Sequence, residues 1–367
     1  MGIVSSWFSH LRVPSCEESV PKSELPKPMY SKLPVMERLD SLDVSYRVTM
    51  MNQPHTQELI IDAGDVSLSG TLFMPQVAKP HPVLVVMHSS AGDLRTDPTY
   101  IHLKEHLPSN GIAVFIFDRR GSGKSTGDFN TASFDDLSED GLAAIRTLKE
   151  LETIDETRIG VWGLSQGAWI APLIATKAHT EVALVVAVSS VAVSPAEQMI
   201  YSASVALQQE NYSESVISRV IDIRRSVDQY YRDQHNKSEI IELIKACEDE
   251  PWFPLTYLDK ACELPDDVRQ DKWYFEMDYD PVPALQNVQV PIIFFYAEKD
   301  PWVPIQQSIN IVREHTLQNI DVTIARIKGA NHFMDRLDAN EDNQRQDSIS
   351  ILYIRQMIKW LEIHFRK

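Results

Sequence analysis

The stretch RIGVWGLSQGAWIAPLIATK, Arg158 to Lys177, decides the fold. Its first half is an apolar run of strand length, and its second half, AWIAPLIATK, has the character of a helix. Between them GLSQG, Gly163 to Gly167, follows the G-x-S-x-G pattern, in which a serine sits on a sharp strand-to-helix turn flanked by small residues that let the chain pass. Such a turn exposes Ser165 Oγ at the carboxyl end of a sheet and aims a helix N-terminus at a developing oxyanion. The pentapeptide alone favours this reading over its alternative, a glycine-rich turn leaving a strand. The rest of the chain decides between the two.

Outward from this stretch the pattern alternates. QELIID and VSLSGTLFMP read as an antiparallel pair joined at Ala63-Gly64-Asp65. PVLVVMH, a helix near Tyr100 to Pro108, and IAVFIFD follow, the last with the continuous apolar character of a strand buried on both faces. A helix predicted from Ser133, capped with Asp136 three residues on, carries Leu137, Leu142, Ile145 and Leu148 on one face. ALVVAVSS, VPIIFFYAEKD and VTIARIKG continue the strands, and a helix ends the chain. The expected fold class is α/β, a doubly wound, mostly parallel sheet. From 194 to 282 the alternation gives way to helical, aromatic-rich sequence that returns to the same sheet, which predicts an inserted helical cap. The expected organisation is an arm over 1–56, a core over 57–193 and 283–367, and the cap over 194–282.

Composition excludes several function classes. A chain of 367 residues that is 43% hydrophobic has enough apolar surface for a sizeable core. Its formal charge of -17 opposes a polyanion, and no basic stripe with interleaved aromatics offsets it, so nucleic acid is not expected as a partner. Cys16, Cys247 and Cys262 lie far apart without metal-binding spacing, so neither metal nor disulfide framework is expected, and a reducing, cytoplasmic setting is. No apolar run approaches the ~20 residues that span a bilayer, so no stable membrane insertion is expected. The start MGIVSS matches the pattern for N-myristoylation at Gly2, with Cys16 available for a second acyl chain. Composition says nothing about oligomeric state.

A serine hydroxyl is a poor nucleophile until a base takes its proton, and the base needs an acid to fix its tautomer. Two later loops supply both: Asp300 ends IIFFYAEKD, and His332 follows VTIARIKGAN. Taken singly, Asp300 is a turn residue before Pro301 and His332 a surface histidine. Together with Ser165 they stand in the order Ser, Asp, His, each in a loop at the carboxyl end of a predicted strand.

One motif points elsewhere. GSGKST, Gly121 to Thr126, ends like a nucleotide-binding loop, but the glycine which that loop needs at its start is Asp118. A carboxylate there repels phosphate and lacks the freedom of glycine. The chain from Gln57 to Lys367 resembles the α/β-hydrolase superfamily, above all the serine esterases and dipeptidyl-peptidase-like hydrolases with a helical cap. The resemblance rests on DRRGSGKSTG, GLSQGAWIAP, DYDPVPAL with VPIIFFYAEKDPWVP, and GANHF. It implies that Asp118 to Gly127 walls the active site. It also implies oxyanion donors at the N–H of Gln166 and in MHSSAGD, where Ser89 replaces the usual glycine; the donor there is Ser90 or else Ser89, and His88 supports the loop.

The expected activity is hydrolysis of an ester, lactone or thioester of a small-molecule acyl substrate through an acyl-enzyme on Ser165, with no cofactor. Trp169 beside the nucleophile and Trp302 beside the acid suggest an apolar substrate pocket. Trp252, Trp273 and Phe275 are equally suited to the cap's own core. Acyl transfer or cyclisation under the cap, or ligand sensing on a hydrolase scaffold, are the alternatives.

Overall fold

The computed structural model describes residues 54–318, 320–338 and 348–366. The arm through residue 53, with Gly2 and Cys16, lies outside them.

The expected alternation is present as one eight-stranded sheet in the order β1-β2-β4-β3-β5-β6-β7-β8. Strands β1 (His55–Asp62) and β2 (Ser67–Met74) form the antiparallel edge, and β2 runs antiparallel to β4 (Ala113–Phe117). The remaining pairings are parallel, through β3 (His81–Met87), β5 (Ile154–Leu164), β6 (Leu184–Val188), β7 (Ile292–Ala297) and β8 (Val322–Ile327). Strands buried on both faces cannot alternate apolar with polar. β3 shows why: Val83, Val85 and Met87 enter the core on one face, and Leu84 and Val86 the core on the other.

Helices α1 (Ile101–Ser109), α2 (Phe134–Lys149) and α3 (Gln166–Lys177) cross between the strands of the first half. The Ser133–Asp136 capping box starts α2 as the sequence predicts. Between β6 and β7 the chain leaves the sheet through α4 (Pro195–Gln209), α5 (Glu214–Asp233), α6 (Lys237–Lys245), α7 (Lys272–Glu276) and α8 (Val282–Asn287). This helical insertion has an apolar core of its own, built on residues such as Val220, Tyr230, Tyr231, Trp252 and Phe253. Helices α9 (Ile305–His315) and α10 (Ile351–Phe365) complete the layers.

The turn from β5 into α3 is tight. Ser165 has φ 54 and ψ -112, a strained backbone for a residue with a Cβ. It is held by its N–H donating to the Val188 carbonyl at 2.9 Å, and by its own carbonyl accepting from Ala168 N–H at 2.9 Å. The flanking glycines are required by contact: a Cβ on Gly163 would lie 2.0 Å from the Gly167 carbonyl oxygen, and one on Gly167 would lie 2.2 Å from that of Met87. Gly163→Ala therefore has to displace backbone, and its expected cost is about 3 kcal/mol of stability. Chemical denaturation measures this; an unchanged midpoint contradicts the tight turn.

Candidate active site

The loop after β4 encloses its own carboxylate. Asp118 Oδ2 accepts from Lys124 N–H at 3.0 Å, Oδ1 accepts from Arg95 N–H at 3.1 Å, and a Cβ on Gly123 would lie 2.4 Å from Oδ2. The place where a phosphate loop holds its anion is thus filled by Asp118, as its charge suggests.

Ser165 caps α3 at the carboxyl ends of the strands. Asp300, three residues past β7, uses both oxygens: Oδ1 accepts from Trp302 N–H at 2.9 Å and Val303 N–H at 3.2 Å, and Oδ2 lies 2.8 Å from His332 Nδ1. Both side chains of this pair are buried, at 1% and 2% exposure. Since Nδ1–H donates to a carboxylate, the neutral ring keeps its lone pair on Nε2. The ring is further fixed edge-on to Trp302 at 4.8 Å and Phe333 at 5.2 Å, and the His332 carbonyl accepts from Ser189 Oγ at 2.6 Å.

Ser165 and His332 open onto one cleft of about 680 Å³, its open mouth included. Gln166, Ser90, Trp169 and Trp302 line it too, so the structure brings the sequence-predicted residues to one place. It also separates the two candidate serines. Ser89 is buried and its N–H donates to the Tyr100 hydroxyl at 3.1 Å, whereas Ser90 faces the cleft. The helical insertion supplies the rest of the lining, which includes Gln198 and Met199 from α4, Tyr257, and Trp273 and Glu276 from α7.

Tyr257 is one of the insertion's aromatic residues, which the sequence offers to pocket or core alike, and Glu276 carries no sequence signal for the site. The sequence also leaves Trp273 between core and pocket; that residue packs against the insertion's core and lines the cleft as well. Lys272, four residues before Glu276 on α7, is 3% exposed, whereas a Lys–Glu pair one helical turn apart is ordinarily solvated.

His88 is a supporting residue. It packs edge-on against Tyr100 at 5.3 Å and Phe117 at 5.1 Å, and burial, reinforced by Arg119, lowers its pKa to about 3. The unfolded imidazole titrates near ~6.5. Between these values the unfolded chain binds a proton that the folded one does not, so stability is full above the unfolded value and is lost as pH falls toward the folded one. At pH 5 the expected loss from this group is about 2 kcal/mol. Melting a His88→Leu protein beside the parent from pH 7 to 5 should show the shallower slope in the variant; equal slopes contradict the assignment.

Among the described residues no set of three or more His, Cys, Asp or Glu is arranged to hold a metal, and no helix is long and apolar enough to cross a membrane.

A mostly parallel sheet bearing a serine on a strained strand-to-helix elbow defines the α/β-hydrolase class. The chain belongs to the X-Pro dipeptidyl-peptidase family, S15, whose model matches residues 63–333. The quorum-quenching protein AidA of Acinetobacter baumannii is 32% identical over 107 residues, which are 29% of this chain and 34% of that protein. The match thus spans about a third of the relative's length. Among solved structures, Est1E of Butyrivibrio proteoclasticus with bound ferulic acid has 17% identity and a TM-score of 0.52, covering 84% of this chain and 100% of that one. Proline iminopeptidase of Mycobacterium smegmatis has 16% identity and a TM-score of 0.53, covering 84% and 99%. At these identities the two structures share the fold.

Proposed function

We propose that the protein hydrolyses an ester or a related acyl bond, a lactone or thioester included, of a small molecule through an acyl-enzyme on Ser165. The observation that carries this reading is the buried 2.8 Å contact of His332 with Asp300, on a ring that shares its cleft with a serine at a strained elbow. His332 Nε2 takes the proton of Ser165 as Oγ attacks the acyl carbon and returns it to the leaving group. It then draws a proton from the water that releases the acid. Asp300 holds the tautomer and stabilises the imidazolium.

The oxyanion is received by the N–H groups of Gln166 and Ser90. Ser90 is preferred to Ser89 because the Ser89 N–H is already engaged by Tyr100. The segment 194–282 acts as a cap over the core formed by 57–193 and 283–367. Trp169, Trp302, Met199 and Trp273 make an apolar cleft, which favours an apolar acyl group of moderate size.

The test is fluorophosphonate labelling read by intact mass, followed by a panel of p-nitrophenyl esters of increasing acyl length, a lactone, a thioester and an X-Pro amide. The quorum-quenching relative is the reason for the lactone, and the family for the amide. Stoichiometric labelling with preference for the oxygen and sulfur esters supports the proposal. Preference for the X-Pro amide overturns the substrate class, and a folded protein that takes no label overturns the acyl-enzyme.

A further inference from the structure

The two sides of the proposed oxyanion hole are braced by one buried set of charged side chains, and part of that set comes from the insertion. On the elbow side, Gln166 is 3% exposed, and its Nε2 donates to Glu276 Oε2 at 2.8 Å, a partner 110 residues away in sequence. Lys272, one turn earlier on α7, puts Nζ 3.4 Å from the same oxygen. The Lys272 ammonium also donates to the Ala132 carbonyl and sits over the rings of Phe129 at 4.6 Å and Phe134 at 5.5 Å.

On the other side, Arg119 stacks on Phe129 at 3.5 Å, and its Nη1 donates to the carbonyls of Ser89 at 3.2 Å and Ser90 at 3.5 Å. Phe129 therefore receives both cations, and the contacts run without a break from Ser90 through Arg119, Phe129, Lys272 and Glu276 to Gln166.

Stability does not account for such a set. Taking a carboxylate and an ammonium out of water costs several kcal/mol each, and a hydrophobic pair of similar volume is commonly as stable or more so. Burial here pushes the Glu276 carboxyl up and the Lys272 ammonium down, against the attraction between them. What the pair provides and two apolar residues do not is a directed acceptor for the Gln166 amide. Without Glu276, that buried amide has lost the partner that sets its orientation, and its Oε1 is already unpaired among the described residues. Gln166 is the first residue of α3, so the hold on its side chain acts one residue from the Ser165 elbow.

We infer that Glu276, held by Lys272, is a positioning residue that fixes Gln166 and so aims its backbone N–H at the oxyanion, making the hole depend on the insertion being seated on the sheet. The inference rests on the acyl-enzyme reading above. Its consequence is that the insertion contributes to the chemical step as well as to shaping the pocket, because donors placed before reaction lower the barrier without reorganising.

The test compares Glu276→Leu, Glu276→Gln and the double variant Lys272→Met/Glu276→Leu with the parent, on p-nitrophenyl butyrate with separate kcat and KM and with thermal melts. Loss of a whole oxyanion donor costs roughly 10²–10³ in kcat; for a misaimed one the expected fall is about 10- to 100-fold, with KM within about threefold. Glu276→Gln retains an acceptor oxygen for Gln166 and should stay within about threefold of the parent. The double variant replaces the pair by apolar side chains, so it should fold even if Glu276→Leu alone does not, and should show the same fall in kcat.

A folded double variant with parental kcat, a loss confined to KM, or a Glu276→Gln protein as impaired as Glu276→Leu each overturns the inference. Ser165→Ala run in parallel keeps the two proposals apart. If its turnover equals the parent's, both fall; if it is inactive while the double variant is unimpaired, the positioning role alone falls.

Discussion

Ser165→Ala is expected to lower turnover by roughly 10⁶ and to abolish fluorophosphonate labelling, with the fold retained. The size follows from the role proposed for the side chain: without Oγ no acyl-enzyme can form, and water must attack a substrate still bound among the proposed oxyanion donors. Those donors account for a residual rate above that in free water. The backbone at this position is strained, and alanine inherits the strain, so no stability change is expected to obscure the kinetics. The measurement is single-turnover and steady-state hydrolysis of p-nitrophenyl butyrate beside intact-mass labelling. A folded Ser165→Ala protein that keeps more than about a hundredth of the parental rate contradicts the nucleophile assignment.

The second large effect is that of Asp300→Asn, about 10⁴ in kcat. The geometry makes this substitution unusually clean. Asparagine Oδ1 still accepts from the N–H groups of Trp302 and Val303, so the loop after β7 keeps its shape. The amide that replaces Oδ2 is a donor, and facing it His332 Nδ1 must become an acceptor. The ring proton then moves to Nε2, where the proposed base needs a lone pair. Unchanged melting with kcat down by several orders of magnitude is the expected pair of results; a drop of less than tenfold refutes the orienting role of Asp300.

Much of this arrangement was legible beforehand because its determinants are local. The apolar run before GLSQG, the small residues at Gly163 and Gly167, and the Ser133–Asp136 cap each act within a few residues of themselves. Asp300 and His332 were reachable because parallel strands deliver their following loops to one edge, so strand order in sequence already implies a meeting place. Asp118 excluded a phosphate loop by its charge and by standing where that loop needs glycine, and the folded loop closes on that charge.

The insertion was legible only in outline. Its periodicity marks helices, yet which side of each helix faces the cleft depends on how the helices pack on one another and on the sheet. Trp252 and Trp273 illustrate this: both are aromatic residues in helical sequence, but one is enclosed in the insertion's core and the other spans core and cleft. Glu276 and Lys272 carried no signal at all, since a Lys–Glu spacing of four is what an exposed helix shows.

The sequence by itself determined the class of fold, the elbow at Ser165 and the loops that hold Asp300 and His332, since these rest on strand and helix periodicity and on glycines needed for a turn within five residues. Only the tertiary structure decided that Ser90 rather than Ser89 faces the cleft, that Tyr257, Trp273 and Glu276 line it, and that Arg119 and Lys272 meet on Phe129. Those outcomes depend on contacts between segments up to 110 residues or more apart, whose side-chain directions exist only once the insertion has packed against the sheet.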